Sequence, residues 1–169
     1  MSNLVQAAPK SGGLKSNVST QNYDQNQFVT VLIGGQLFGI PVLDVHDVLG
    51  PQRITRIPLA PPEVAGSLNL RGRIVTALDI RLRLGLPPRG AEETSMSTVV
   101  EYRGEFYSLM VDSVGEVLTL DPKDFLRSPA TLDPRWRESA IGVYRLESEL
   151  LVVLDVARIL DIGHHTVAA

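Results

Sequence analysis

The sequence predicts a mainly β protein made of two small closed β-barrels in tandem. Three observations predict it: two strand pairs that each flank a glycine-centred turn, an internal duplication that repeats those pairs, and helical stretches only about one turn long. The 169 residues, 44% hydrophobic and carrying a formal charge of -3, suffice for one globular body or two small ones sharing a core. With no cysteine in the chain, a disulfide framework, thiolate catalysis and the usual zinc knuckles are excluded.

Residues 1–26 are rich in Ser, Asn, Gln and Gly and read as a flexible tail; the last residues, 162–169, read as a second tail. Between them, 28–33 (FVTVLI) and 37–42 (LFGIPV) flank Gly34-Gly35, which supplies the positive φ angles of a tight hairpin. Segments 98–102 (TVVEY) and 105–111 (EFYSLMV) flank Arg103-Gly104 in the same way, with β-branched and aromatic residues on both sides. Val/Ile/Leu strands follow at 74–78 (IVTAL) and 150–154 (LLVVL), each running into an aspartate. Asp79 and Asp155 are suited to cap the short helical turns 80–84 and 156–160, and Asp121-Pro122 and Asp133-Pro134 repeat the device with proline where no amide donor is needed.

Sliding the chain by 69 residues lays 29–49 on 98–118, and sliding it by 76 lays 65–84 on 141–160. Eleven of the 41 aligned positions are identical, against about 3 from ordinary residue usage. Val31, Gly35, Val42, Val45, Val48 and Leu49 recur in the first overlay, and Gly66, Leu70, Leu78, Asp79 and Leu84 in the second. The reading is a duplicated unit, with barrels at about 27–90 and 95–161.

Signals of chemistry are sparse. The three histidines, His46, His164 and His165, come with no Gly-x-Ser-x-Gly elbow, no His-Glu-x-x-His pair and no phosphate loop, so neither catalytic residues nor metal ligands nor a cofactor are expected. His46 beside Asp47 is the one enzymatic candidate, and it lacks a nucleophile in context. The first-half arginines, Arg53, Arg56, Arg71, Arg73, Arg81 and Arg83, are compatible with a nucleic-acid-binding barrel, but the acidic balance and 5% aromatic content argue against one. Charge interrupts every apolar run before it can span a membrane, and the N-terminus lacks the apolar core of a secretory signal, so a cytoplasmic protein without direct membrane insertion is expected. What remains is surface for protein contact. Within FGIPVLDVHDVL (38–49), the residues Val42, Val45, Val48 and Leu49 exceed what one barrel wall buries; most of them fill the core in this reading, and the others are candidates for an exposed apolar groove.

The segment 66–84, GSLNLRGRIVTALDIRLRL, resembles the signature of CheW, the coupling protein family of bacterial chemotaxis, through Gly66, Asn69, Leu70, Arg71, Gly72, Asp79 and Arg81. The stretches 38–58, 111–122 and 150–160 resemble it as well, so the likeness extends over nearly all of 27–161. Thr76 departs from it, standing where the family commonly has proline; an amide regained in a strand supports pairing.

The resemblance implies two five-stranded SH3-like barrels with short helices, no catalysis, and an adaptor that couples chemoreceptor cytoplasmic tips to the regulatory domain of the histidine kinase CheA. It implies a location at membrane receptor arrays through those partners. Carried over by motif position, Val45, Asp47, Gly66 and Arg71 are implied in receptor coupling. Val42 and Val45 are expected to supply apolar area to a receptor helix between the barrels, and Asp47 and Arg71 to form an ion pair. Kinase contacts are implied at barrel edges near the first hairpin, without particular residues. Related arrays that govern pili or second messengers would use the same surface.

Overall fold

The computed structural model describes residues 26–127, 130 and 132–162; the expected tails and His164 and His165 lie outside the described residues, apart from Asn26 and Ile162. Among the described residues eleven strands run in chain order: β1 (Gln27–Ile33), β2 (Gln36–Pro41), β3 (Val45–Leu49), β4 (Val64–Leu70), β5 (Arg73–Asp79), β6 (Met96–Tyr102), β7 (Glu105–Val111), β8 (Ser113–Thr119), β9 (Phe125–Leu126), β10 (Ala140–Arg145) and β11 (Leu150–Leu154). Among the described residues two short α-helices, α1 (Ile80–Arg83) and α2 (Val156–Leu160), follow β5 and β11, and single 3-10 turns occupy Val42–Asp44, Pro122–Asp124 and Pro134–Trp136. All four expected caps form: the carboxylates of Asp79, Asp121, Asp133 and Asp155 accept from the backbone amides of Arg81, Lys123, Arg135 and Arg158.

The strands make two sheets, ordered β8-β1-β2-β11-β10-β9 and β3-β6-β7-β5-β4, the walls of two SH3-like subdomains. The assignment of residues to them differs from the expected division at 27–90 and 95–161. The hairpin β1–β2 joins strands of the second half, and the hairpin β6–β7 joins strands of the first. The duplication survives this exchange residue by residue. Phe38 pairs in parallel with Val152 across β2 and β11, and their equivalents Tyr107 and Thr76 pair in parallel across β7 and β5. Even the irregularities repeat: the ladder slips between Val64 and Gly66 and again between Ala140 and Gly142.

The pleat explains why the exchange is stable. Along β1, Val29, Val31 and Ile33 point into a core shared with Leu109 and Val111 of β7, while Phe28 points into a separate cluster with Tyr144, Leu151 and Val153. On the other sheet, Leu78 faces the shared core, whereas Val75 and Ala77 pack with Leu68. Each sheet therefore buries both faces, and the shared core holds the two subdomains together.

Asp112, the residue between β7 and β8, marks where the chain crosses from one sheet to the other. Its carboxylate accepts from Arg81 at 2.7 and 2.9 Å, from Arg89 at 3.0 Å and from the Gly34 amide of the first hairpin turn at 2.7 Å. Burial pushes this carboxyl up; the Arg81 hydrogen bond, the Gly34 amide and the Arg89 charge outweigh it and hold the group below its usual range.

Candidate functional site

The site is built around β3 and the β4–β5 turn. Val45 pairs with Val100, yet Asp47 pairs with the adjacent Val99, so His46 is the extra residue of a β-bulge. The bulge sends Val45 and Asp47 to opposite faces of the sheet. Val45 lies on the face of the shared core, in a row that continues through Val100, Tyr107 and Thr76. Asp47 lies on the other face, within reach of the turn between β4 and β5.

That turn is Arg71-Gly72, with φ of 51° and 85°, and the Asn69 side-chain oxygen accepts the Gly72 amide at 2.9 Å. It swings the Arg71 guanidinium over β3, where Nη2 stands 3.4 Å from Asp47 Oδ2. The expected ion pair therefore forms. With the Arg71 side chain 79% exposed, it adds only about 0–1 kcal/mol to stability and acts instead by fixing where two charges stand.

Beneath the pair, Phe106 of β7 lies between two cationic or titratable neighbours. The His46 ring centroid is 4.6 Å from the Phe106 centroid, and the Arg73 guanidinium sits 4.9 Å above the same ring. Together with Leu70 and Val75 these residues line a depression of about 220 Å³. Its rim carries Arg71 and Arg73 against the single carboxylate Asp47, a surface that favours acidic groups on whatever docks there.

Gly66 lies on β4, the strand that leads into this turn, but does not line the depression. Its φ is 152°, and a Cβ there would lie 2.1 Å from the carbonyl oxygen of Thr55, whose backbone pairs with Ser67 through two 2.8 Å hydrogen bonds. Glycine is required because residues 54–55 cross β4 at contact distance.

The structure thus brings Asp47 and Arg71 together and leaves Gly66, Val42 and Val45 apart from them. Both valines pack, half-buried, against the shared core, which explains their place in the duplication. The apolar side chains that emerge on this segment are Leu43, 66% exposed, and Val48, 38% exposed. Two contributors escaped sequence reasoning, Phe106 and Leu43, and Arg73 was noted only as one of the first-half arginines. Phe106 becomes a neighbour of Val75 only because the second hairpin joins the sheet of the first half, and no local pattern signals that exchange.

His46 stacks on Phe106, and no group of three or more His, Cys, Asp or Glu suited to a metal ion occurs among the described residues. No described helix is long and apolar enough to cross a membrane.

Comparison with known proteins agrees with this architecture. The chain is similar to the chemotaxis protein CheW of Helicobacter pylori, 27% identical over 139 residues that cover 82% of this chain and 84% of that protein. It is also similar to CheW of Treponema pallidum, 28% identical over 147 residues, and to Protein PilI of Pseudomonas aeruginosa, 28% identical over 120 residues covering 71% of this chain and 67% of that protein. The crystal structure of the scaffolding protein TtCheW from Thermoanaerobacter tengcongensis superposes with a TM-score of 0.73 at 27% identity, covering 82% of this chain and 94% of that one. A family model, the CheW-like domain, matches residues 27–163, which hold both sheets, the Arg71-Gly72 turn and the Asp47–Arg71 pair, and the chain belongs to that family.

Proposed function

We propose that this protein is a non-catalytic adaptor that couples chemoreceptor cytoplasmic tips to the regulatory domain of the histidine kinase CheA in a signalling array. The observation that carries the reading is the Asp47–Arg71 pair held over Phe106 by a bulge and a tight turn. These are rigid, surface-directed charges with an aromatic floor, an arrangement suited to positioning a partner helix rather than transforming a small molecule. Val42 and Val45 support the receptor surface by packing on the shared core, and Leu43 and Val48 offer exposed apolar area on the same segment. The kinase meets a different part of the body, because an adaptor must hold both partners at once.

Calorimetric titration of the chain with a receptor cytoplasmic fragment and, separately, with the kinase regulatory domain tests the proposal. Saturable binding of both, and of both together, is expected; binding of neither removes the adaptor reading. The similarity to Protein PilI favours a second reading, in which the same surfaces serve a related array governing pili. Receptors and kinase from such an array binding in preference to chemotaxis components would select it.

A further inference from the structure

Asp112 is gripped from both sheets. Its backbone amide donates to the Leu32 carbonyl at 2.9 Å and its Oδ2 accepts the Gly34 amide at 2.7 Å, which fastens it to the β1–β2 hairpin. From the other sheet, Arg81 of α1 closes a two-pronged bond on the carboxylate, Nε to Oδ1 at 2.9 Å and Nη2 to Oδ2 at 2.7 Å. Arg89, in the loop from α1 to β6, adds Nε to the same Oδ1 at 3.0 Å and directs its other nitrogens to Asp79 Oδ1 and the Met110 carbonyl, both at 3.1 Å. The same loop reaches across the junction twice more: Leu86 lies against the Gly34 turn, and the Gly85 carbonyl accepts from Arg135 Nη1 at 3.0 Å.

These side chains lie too deep to be read by a partner, with Arg89 8% exposed, Arg81 14%, Asp79 15% and Asp112 20%. Buried charges gain little over an apolar cluster of the same shape, whereas a forked network is satisfied in one arrangement only. The duplication supplies an internal comparison. In the two overlays the positions of Asp112 and Arg81 are taken by Leu43 and Ala157. There too the chain crosses between sheets, from β2 to β3, and Leu43 is 66% exposed. The topology therefore builds a crossing without such a network, and the junction is pinned at one crossing and not at the other. β3, which carries Asp47, leaves from the unpinned crossing.

We infer that the Asp112 network is a joint that holds the two sheets, and with them the receptor and kinase surfaces of the proposed adaptor, in one mutual placement, with Arg89 as its positioning residue. The effect on coupling rests on the adaptor reading; the joint itself does not.

Because the chain has no cysteine, Glu101→Cys with Ser148→Cys places one spin label on β6 and one on the β10–β11 turn, both at exposed residues. Double electron–electron resonance on this labelled full chain is expected to give one narrow distance peak, which Arg89→Gln broadens or shifts. Arg89→Lys keeps the charge but loses the fork; it is expected to fall between the two, and it carries the comparison if Arg89→Gln does not fold. Leu151→Val, in a buried cluster away from the joint, is the control for lost stability and is expected to melt lower with the peak unchanged. In binding titrations Arg89→Gln is expected to hold the receptor fragment and the kinase regulatory domain each within about twofold of the parent affinity. In reconstituted receptor membranes it is expected to lower receptor-stimulated phosphorylation about fivefold or more. A peak that Arg89→Gln leaves unchanged, or that Leu151→Val broadens equally, overturns the joint, and an altered peak with full stimulation overturns its role in coupling. A parent that binds neither partner removes the adaptor reading instead, and the distances still decide the joint.

Discussion

At Arg71 the backbone and the side chain meet separate demands. Its φ of 51° suits Asn better than Arg, while its guanidinium reaches Asp47. Arg71→Asn is therefore expected to leave the melting temperature unchanged or slightly raised and to abolish receptor coupling; Arg71→Glu, which sets two carboxylates together, is expected to do the same to coupling with at most about 1 kcal/mol lost in urea unfolding. A variant that couples normally would show that the guanidinium is not read by a partner. Val45 behaves differently, because it packs on the shared core. Val45→Asp places a charge at the edge of that core and is expected to cost about 1–3 kcal/mol, so weakened receptor binding in that variant reports on packing as well as contact. Asp44 illustrates the opposite sign. Burial, and then the Asp155 carboxylate, raise its pKa above the ordinary value, so its folded state favours the neutral acid. Its contribution to stability is present at pH below the unfolded value and is lost as pH rises through the raised one. Asp44→Asn is thus expected to raise the melting temperature at pH 7 and to change it little at pH 3.

The strands and turns themselves were largely legible in the sequence. Gly34-Gly35, Arg103-Gly104 and the four capping aspartates are local signals, and each acts within a few residues of where it is written. Gly66 and Gly142 were visible as a repeated pair, but their reason is not local. A Cβ at Gly142 would stand 2.5 Å from the carbonyl oxygen of Leu126, as one at Gly66 would crowd Thr55, because in each subdomain a short extra segment crosses the bulged strand. Gly66→Ala and Gly142→Ala are each expected to cost about 3 kcal/mol or more, read as a fall in the urea midpoint or as insoluble protein. The crossing at Asp112 was not foreseen at all, since its partners Gly34, Arg81 and Arg89 come from three separate parts of the chain. Asp112→Asn is expected to cost about 2 kcal/mol at neutral pH. Because its folded pKa is depressed, the stability it contributes is present above the unfolded value and is lost as pH falls through the folded one, so the parent but not the variant should lose that increment below about pH 4.

Across the whole molecule, the duplication could be read from the chain and the exchange of hairpins could not. Strand alternation tells which residues are buried, but Phe38 and Val152 lie 114 positions apart, and nothing near either residue specifies that β2 should run beside β11 rather than β5. The same exchange decided the site. Asp47 and Arg71 were singled out through the resemblance of 38–58 and 66–84 to the CheW family, whereas Phe106 arrives from the second half with its hairpin. The outcome is a body with a shared core and two walls packed on both faces, which leaves its rims for the partner contacts of the proposed adaptor function. The most direct test is receptor-stimulated phosphorylation by the kinase in reconstituted receptor membranes as this protein is added. Stimulation that depends on the parent protein and is lost with Arg71→Asn, while the variant still binds the kinase regulatory domain, is the predicted result; stimulation indifferent to the protein, or equal with the variant, contradicts the account.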